Sequence, residues 1–134
     1  MIDRSPDRES SRVVAIRGAI DVATDTAGEV SSAVIELVRA IGERNRLNPA
    51  AIISAQFTVT PDVKSVFPAK AAREAGWSSV PMLCTLEIDV PGALPRCIRV
   101  MLHANLPSSQ LVEHVYLRGA AALRPDLGKF SGEE

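Results

Sequence analysis

The sequence predicts an α+β domain in which a single mixed β-sheet carries helices packed on one face. Three observations lead there. Apolar, β-branched runs bounded by turn residues recur five times, and one longer run repeats with the period of a helix. The resulting order, β-α-β-α-β-β-α-β, falls within 134 residues, which is one domain's worth of chain. Hydrophobic residues at 46% and charged residues at 23% describe an ordinary globular protein with material for one core.

Met1 to Ser11 is charged and polar, so residues 1–11 are expected as a disordered leader, followed by a domain at 12–127 and a flexible tail at 128–134. Arg12 to Ile20 is apolar and β-branched and reads as the first strand, with Arg17 sharing a face with Val13 and Ala15. Thr26-Ala27-Gly28-Glu29 is a capping box heading a run with Val30, Ala33, Val34, Leu37, Val38 and Ile41 at helical spacing. That helix should end near Asn45, and Asn48-Pro49 should open a single further turn. Ile52 to Thr60 reads as the second strand, stopped by Pro61-Asp62. Pro68 to Ala75 reads as a two-turn helix ended at Gly76, with Lys70 and Arg73 on one side of it. Met82 to Asp89 and Cys97 to Ala104 are the third and fourth strands, expected to pair as a hairpin across Pro91-Gly92. Pro107 to Glu113 reads as a short helix, and Val115 to Leu123 as the last strand.

Composition excludes several classes. The 15 basic and 16 acidic residues leave a formal charge of -1, which gives no footprint for nucleic acid or an anionic membrane. No apolar run reaches the roughly 20 residues of a membrane span, and the charged start lacks a signal peptide's apolar centre. A cytoplasmic protein is expected. Two cysteines make no disulfide framework. Cys84, Cys97, His103 and His114 have no spacing that fits a compact zinc module, so no metal is expected.

The polar inventory points to an anion site. Arg17, Arg73, Arg99, Arg124 and Lys70 lie within or beside apolar elements, where a cation is costly unless paired, and Glu87 is the one carboxylate among them. Taken singly, each arginine is explained by a stem on the core and a head in water. Together, an excess of cations over carboxylates suggests an acidic ligand.

Five segments share an order and spacing: Ile16-Arg17-Gly18-Ala19; Phe67-Pro68-Ala69-Lys70-Ala71-Ala72-Arg73-Glu74; Cys84-Thr85-Leu86-Glu87; Cys97-Ile98-Arg99-Val100; and Val115-Tyr116-Leu117 with Leu123-Arg124-Pro125-Asp126. In combination they resemble the AroH class of monofunctional chorismate mutases, from about Val13 to Leu127. The resemblance implies a ferredoxin-like sheet and a homotrimer forming a pseudo-α/β barrel, with active sites between subunits. It implies the substrate chorismate, a dicarboxylate, rearranging to prephenate for phenylalanine and tyrosine synthesis, with no cofactor. Arg99 would donate to the breaking ether oxygen and Glu87 would accept from the ring hydroxyl and offset positive charge on the ring. Arg17 and Tyr116 would bind the enolpyruvyl carboxylate. Cys84 would hydrogen-bond near Glu87, Met82 and Leu83 would line the site, and Phe67, Ala69 and Leu123 would form its apolar wall. Lys70, Arg73 and Arg124 would form a positive rim.

Each assignment has a plainer counterpart. Tyr116 is also explained as a strand cap, Cys84 as a small buried hydrophobe and Cys97 as core. Residues three apart on a regular strand face opposite sides, so Cys84 and Glu87 meet only if the strand is bulged or ends between them. Leu83 stands where the family commonly has a small hydroxyl residue, and the chain is one residue shorter both between Glu74 and Trp77 and between Ala104 and Tyr116. Alternative functions are a Rid-type imine deaminase, against which the Cys-x-x-Glu and Cys-Ile-Arg-Val segments argue, and a non-catalytic carboxylate-binding trimer. A sheet covered on one face only must cover the other with a partner, which argues an oligomer.

Overall fold

The structure, a computed structural model, describes residues 10–123. Most of the expected leader, the expected tail and Arg124 lie outside the described residues. The elements are β1 (Ser11–Asp21), α1 (Ala27–Arg44), a 3-10 turn (Pro49–Ala51), β2 (Ile52–Val59), α2 (Pro68–Glu74), β3 (Met82–Leu86), β4 (Cys97–Pro107), β5 (Val115–Tyr116) and a second 3-10 turn (Arg118–Ala122). The five strands form one mixed sheet in the order β3-β2-β4-β1-β5. β4 runs antiparallel to β1 and β2, while β3 is parallel to β2 and β5 to β1. No described helix is long and apolar enough to cross a membrane.

Period-two alternation decides which side of the sheet is covered. Val14, Ile16 and Ile20 of β1 and Ile98, Val100, Leu102 and Ala104 of β4 are buried in the main core, together with Phe57 of β2. The same core holds the α1 stripe Val30, Ala33, Val34, Leu37, Val38 and Ile41. An isolated helix of this length is marginal, so tertiary burial of that stripe is what holds α1, at about 1.5–3 kcal/mol per large side chain. Thr26 caps it, accepting from the Glu29 N–H at 3.2 Å. The Thr26 N–H is taken by Thr24 O instead, so only half of the expected capping box forms. Gly18 permits the close approach: a Cβ there would stand 3.0 Å from Ile41 and 3.2 Å from Leu37.

Three expectations are corrected. The hairpin between β3 and β4 is absent, because β1 and β2 occupy both edges of β4. β3 joins β2 in parallel instead, with α2 in the crossover between them. Pro107 to Glu113 is not a helix: β4 continues to Pro107, and the backbone that follows finds partners outside itself. Arg12 donates to Ser108 O and Gln110 O, the Ser108 N–H donates to Ser10 O, and the Asn45 side chain bonds the N–H and carbonyl of Glu113. Finally, β5 is two residues long, because after Leu117 the chain turns at Arg118, whose φ is 55°. That turn is pinned by the Gly119 N–H to Asp21 Oδ1 at 2.9 Å and by Arg118 to Glu36 at 2.7 Å.

Asn45 is fully buried at the end of α1. Its Nδ2 donates to Ile41 O and Glu113 O, its Oδ1 accepts from the Glu113 N–H, and its carbonyl accepts from Gln110 Nε2. One side chain thus satisfies a segment that forms neither helix nor strand. Replacing Asn45 by Ala orphans the N–H and carbonyl of Glu113, while Ile41 O keeps the backbone N–H of residue 45, and stability measured by urea unfolding is expected to fall by about 2–4 kcal/mol. A loss under about 0.5 kcal/mol would show that water replaces the amide.

Candidate active site

The side chains that alternate away from the core lie on the uncovered face, in rows set by register. Thr58, Arg99 and Ala19 face one another across β2, β4 and β1, and Tyr116 of β5 stands beside Ala19. The adjacent row is Leu83, Gln56, Met101 and Arg17. Glu87 follows β3 and extends its ladder, with its N–H on Val59 O at 2.8 Å. Arg17, Glu87, Arg99 and Tyr116 therefore line one cleft of about 290 Å³, together with Gln56, Thr58 and Met101. That volume is near the lower limit for a small-molecule site.

Arg99 Nε stands 3.2 Å from Glu87 Oε1, with the two side chains 35% and 23% exposed. The N–H is not aligned on that oxygen and makes no hydrogen bond, so the contact is one of charge. The guanidinium of Arg17 has no carboxylate or hydrogen-bond partner among the described residues; its backbone N–H is held by His114 Nδ1 at 3.0 Å. Tyr116 is buried against Ala19, Cys97 and Ala120, a small cluster on this same side that Leu123 partly covers. Two guanidiniums against one carboxylate leave the cleft cationic, suited to a ligand with more than one negative group. Cys97 is core, as expected, but its thiol is close enough to Arg99 to feel it. Burial pushes that thiol up to about 11, against the pull of the Arg99 charge.

The other expected site residues lie elsewhere on this chain. Phe67 and Cys84 line a second cleft of about 450 Å³ with Val63, Val66 and Leu86. Met82 and Leu83 line a third, of about 370 Å³, with Met101 and His103. Ala69 is buried under α2, while Lys70 and Arg73 are exposed on it. Cys84 packs toward the core and does not meet Glu87: β3 is regular, and the two residues sit on opposite faces. Leu83, where a hydroxyl was expected, is 68% exposed. The loop leading to Phe67 is fixed by Asp25, which accepts from the backbone N–H groups of Lys64 and Ser65. Hydrogen bonds from the Ser65 side chain and then the Lys64 backbone hold the Asp25 carboxyl below its usual range. Gln56, Thr58 and Met101 were not singled out from sequence; alternation places them on the outward face, but only the register brings them to Arg99.

Comparison with known proteins agrees with this geometry. Residues 13–127 match the profile of a family described as chorismate mutase type I. The chain is 44% identical over 115 residues to the chorismate mutase AroH of Bacillus subtilis, covering 84% of this chain and 90% of that protein. It is 48% identical over 117 residues to the chorismate mutase AroH of Thermus thermophilus, covering 84% and 93%. The structure superposes on a chorismate mutase from Clostridium thermocellum with a TM-score of 0.78 at 46% identity, covering 81% of this chain and 98% of that one.

The environment of Cys97 has a measurable consequence. With its thiol raised to about 11, on the order of one part in a thousand is thiolate at pH 8. Folded protein is expected to leave Cys97 unlabelled by iodoacetamide at that pH, while unfolded protein labels it. Because the folded value lies above the ordinary 9.0, this group's contribution to stability is complete below pH 9 and is lost as pH rises toward 11. Rapid labelling of Cys97 in the native state would contradict the burial described.

Proposed function

The chain belongs to the chorismate mutase type I family and is a chorismate mutase, an isomerase; from that premise we propose that the Arg99–Glu87 cleft is where chorismate rearranges to prephenate. The relatives favour this over an imine deaminase or a non-catalytic carboxylate-binding trimer. The single observation that carries the assignment of the site is the half-buried Arg99 in charge contact with Glu87, beside Arg17 and Tyr116.

The reaction is pericyclic and needs no nucleophile and no cofactor. A protein accelerates it by holding the substrate's compact, chair-like conformer and by meeting the charge that develops as the ether bond breaks. Arg99 supplies positive charge to the ether oxygen and a carboxylate. Glu87 accepts from the ring hydroxyl and offsets positive charge on the ring. Arg17 and the Tyr116 hydroxyl take the enolpyruvyl carboxylate.

The assembled enzyme is a homotrimer with a site at each subunit boundary. Phe67 and Cys84 open on the helix-covered side of β3, away from Arg99, so one chain cannot enclose a ligand with both sets. A neighbouring copy would supply the second set, with Met82, Leu83, Ala69, Lys70 and Arg73 nearby, and Leu123 and Arg124 would belong to the apolar wall and the positive rim. Val13, Leu83 and Met101 are exposed apolar side chains on the uncovered face that such packing would bury. The enzyme acts in the cytoplasm, in phenylalanine and tyrosine synthesis.

Sedimentation is expected to give a trimer; an active monomer would remove the shared site. Arg99→citrulline keeps volume and N–H donors but removes charge, and should lower kcat by at least about 100-fold with a smaller change in KM. Turnover within about tenfold of the parent would refute the role given to Arg99. Glu87→Gln keeps shape without charge and should lower kcat while the trimer persists; unchanged kcat would reduce Glu87 to a structural part.

A further inference from the structure

Two polar atoms in the cleft are buried without a hydrogen-bond partner among the described residues: Arg99 Nε and Thr58 Oγ1. They belong to residues directly opposed across β4 and β2, and both line the cleft. Opposed residues of an antiparallel pair have Cβ atoms about 4.5–5.5 Å apart, well within the reach of these two side chains. One atom carries a hydrogen to give and the other can accept it. Thr85, the register partner of Thr58 on β3, accepts from Gln56 Nε2 at 3.4 Å and makes no bond to the Thr58 hydroxyl. A buried polar atom left unpaired is costly, so a matched pair of them at a ligand cleft marks a contact made in another state.

We propose that Thr58 is a positioning residue for Arg99: when an anionic ligand draws the guanidinium away from Glu87, the Arg99 Nε–H donates to the Thr58 hydroxyl. This rests on the reading of the cleft as the active site. Glu87 alone holds the guanidinium by a charge contact that tolerates rotation, since the N–H is not aligned on its oxygen. A second, directional bond at Nε would fix the plane of the guanidinium and so aim its terminal N–H groups at the ether oxygen. Such a bond lowers the barrier more than it tightens the ground-state complex, because it matters most where the charge develops.

The test compares Thr58→Val, which keeps the shape and removes the hydroxyl, with Thr58→Ser, which keeps the hydroxyl. Thr58→Val is expected to lose about tenfold in kcat with KM within about twofold, and Thr58→Ser to return kcat to within about threefold of the parent. Thermal unfolding of Thr58→Val should be unchanged or raised, because an unpaired hydroxyl has been removed, so lost activity is not lost folding. In nitrogen-15 NMR of the parent, malonate as a minimal dicarboxylate should slow exchange of the Arg99 Nε–H, and in Thr58→Val it should not. Unchanged kcat in Thr58→Val, a Thr58→Ser variant as slow as Thr58→Val, or no protection by malonate in the parent would overturn the proposal. A parent that shows the protection yet does not convert chorismate would overturn the functional reading and leave the contact standing.

Discussion

The antiparallel ladder between β1 and β4 is the constraint on which the rest depends. It runs unbroken from Ser11 opposite Pro107 to Asp21 opposite Cys97. Its alternation sends Ile16, Ile20, Ile98 and Leu102 under α1 and sends Arg17, Arg99 and Met101 the other way. A slip of β1 by one residue against β4 would turn its side chains over, exposing Ile16 and Ile20 and burying the Arg17 guanidinium in the main core. Burying an unpaired cation costs far more than the ladder's small register preferences, so the apolar core and the cationic cleft enforce the same pairing.

The cleft is in turn an electrostatic compromise. Arg99 is partly withdrawn from water but rests on Glu87, and Cys97 beneath it stays protonated in its dry cluster. A neutral thiol adds no charge to compete with a ligand's carboxylates, whereas a thiolate there would neutralise much of the field the arginine provides. Burial thus keeps the thiol neutral to higher pH than an ordinary cysteine, and Glu87 is left as the carboxylate that offsets Arg99.

Much of this was readable from the chain, for reasons that differ by element. α1 was legible because its stripe is long and periodic, and β1 and β4 because alternating apolar residues mark one face. The turn at Pro91-Gly92 suggested a β3–β4 hairpin, but pairing is decided by which strands fill both edges of β4, a global competition that no local turn reports. The stretch after Pro107 had the composition of a short helix, and Arg12 and the amide of Asn45, both distant in sequence, hold it otherwise. Arg17, Glu87, Arg99 and Tyr116 were reached through the family resemblance, and the fold gathers all four in one cleft. Thr58 was not reached, because its importance comes from standing opposite Arg99 rather than from any motif.

The order of the strands has a bearing on how this protein is made. β1, the first strand to be synthesised, has β4 and β5 as its sheet neighbours, and both come from the last third of the described chain. On the ribosome β1 can pack against α1, but both of its sheet edges stay open until Cys97 to Pro107 and then Val115–Tyr116 have followed. Pairings this distant close slowly, since the loop entropy is lost before the contacts form. Until then the open edges of β1 can template wrong pairings, and it is the stage at which chaperone binding has most to protect.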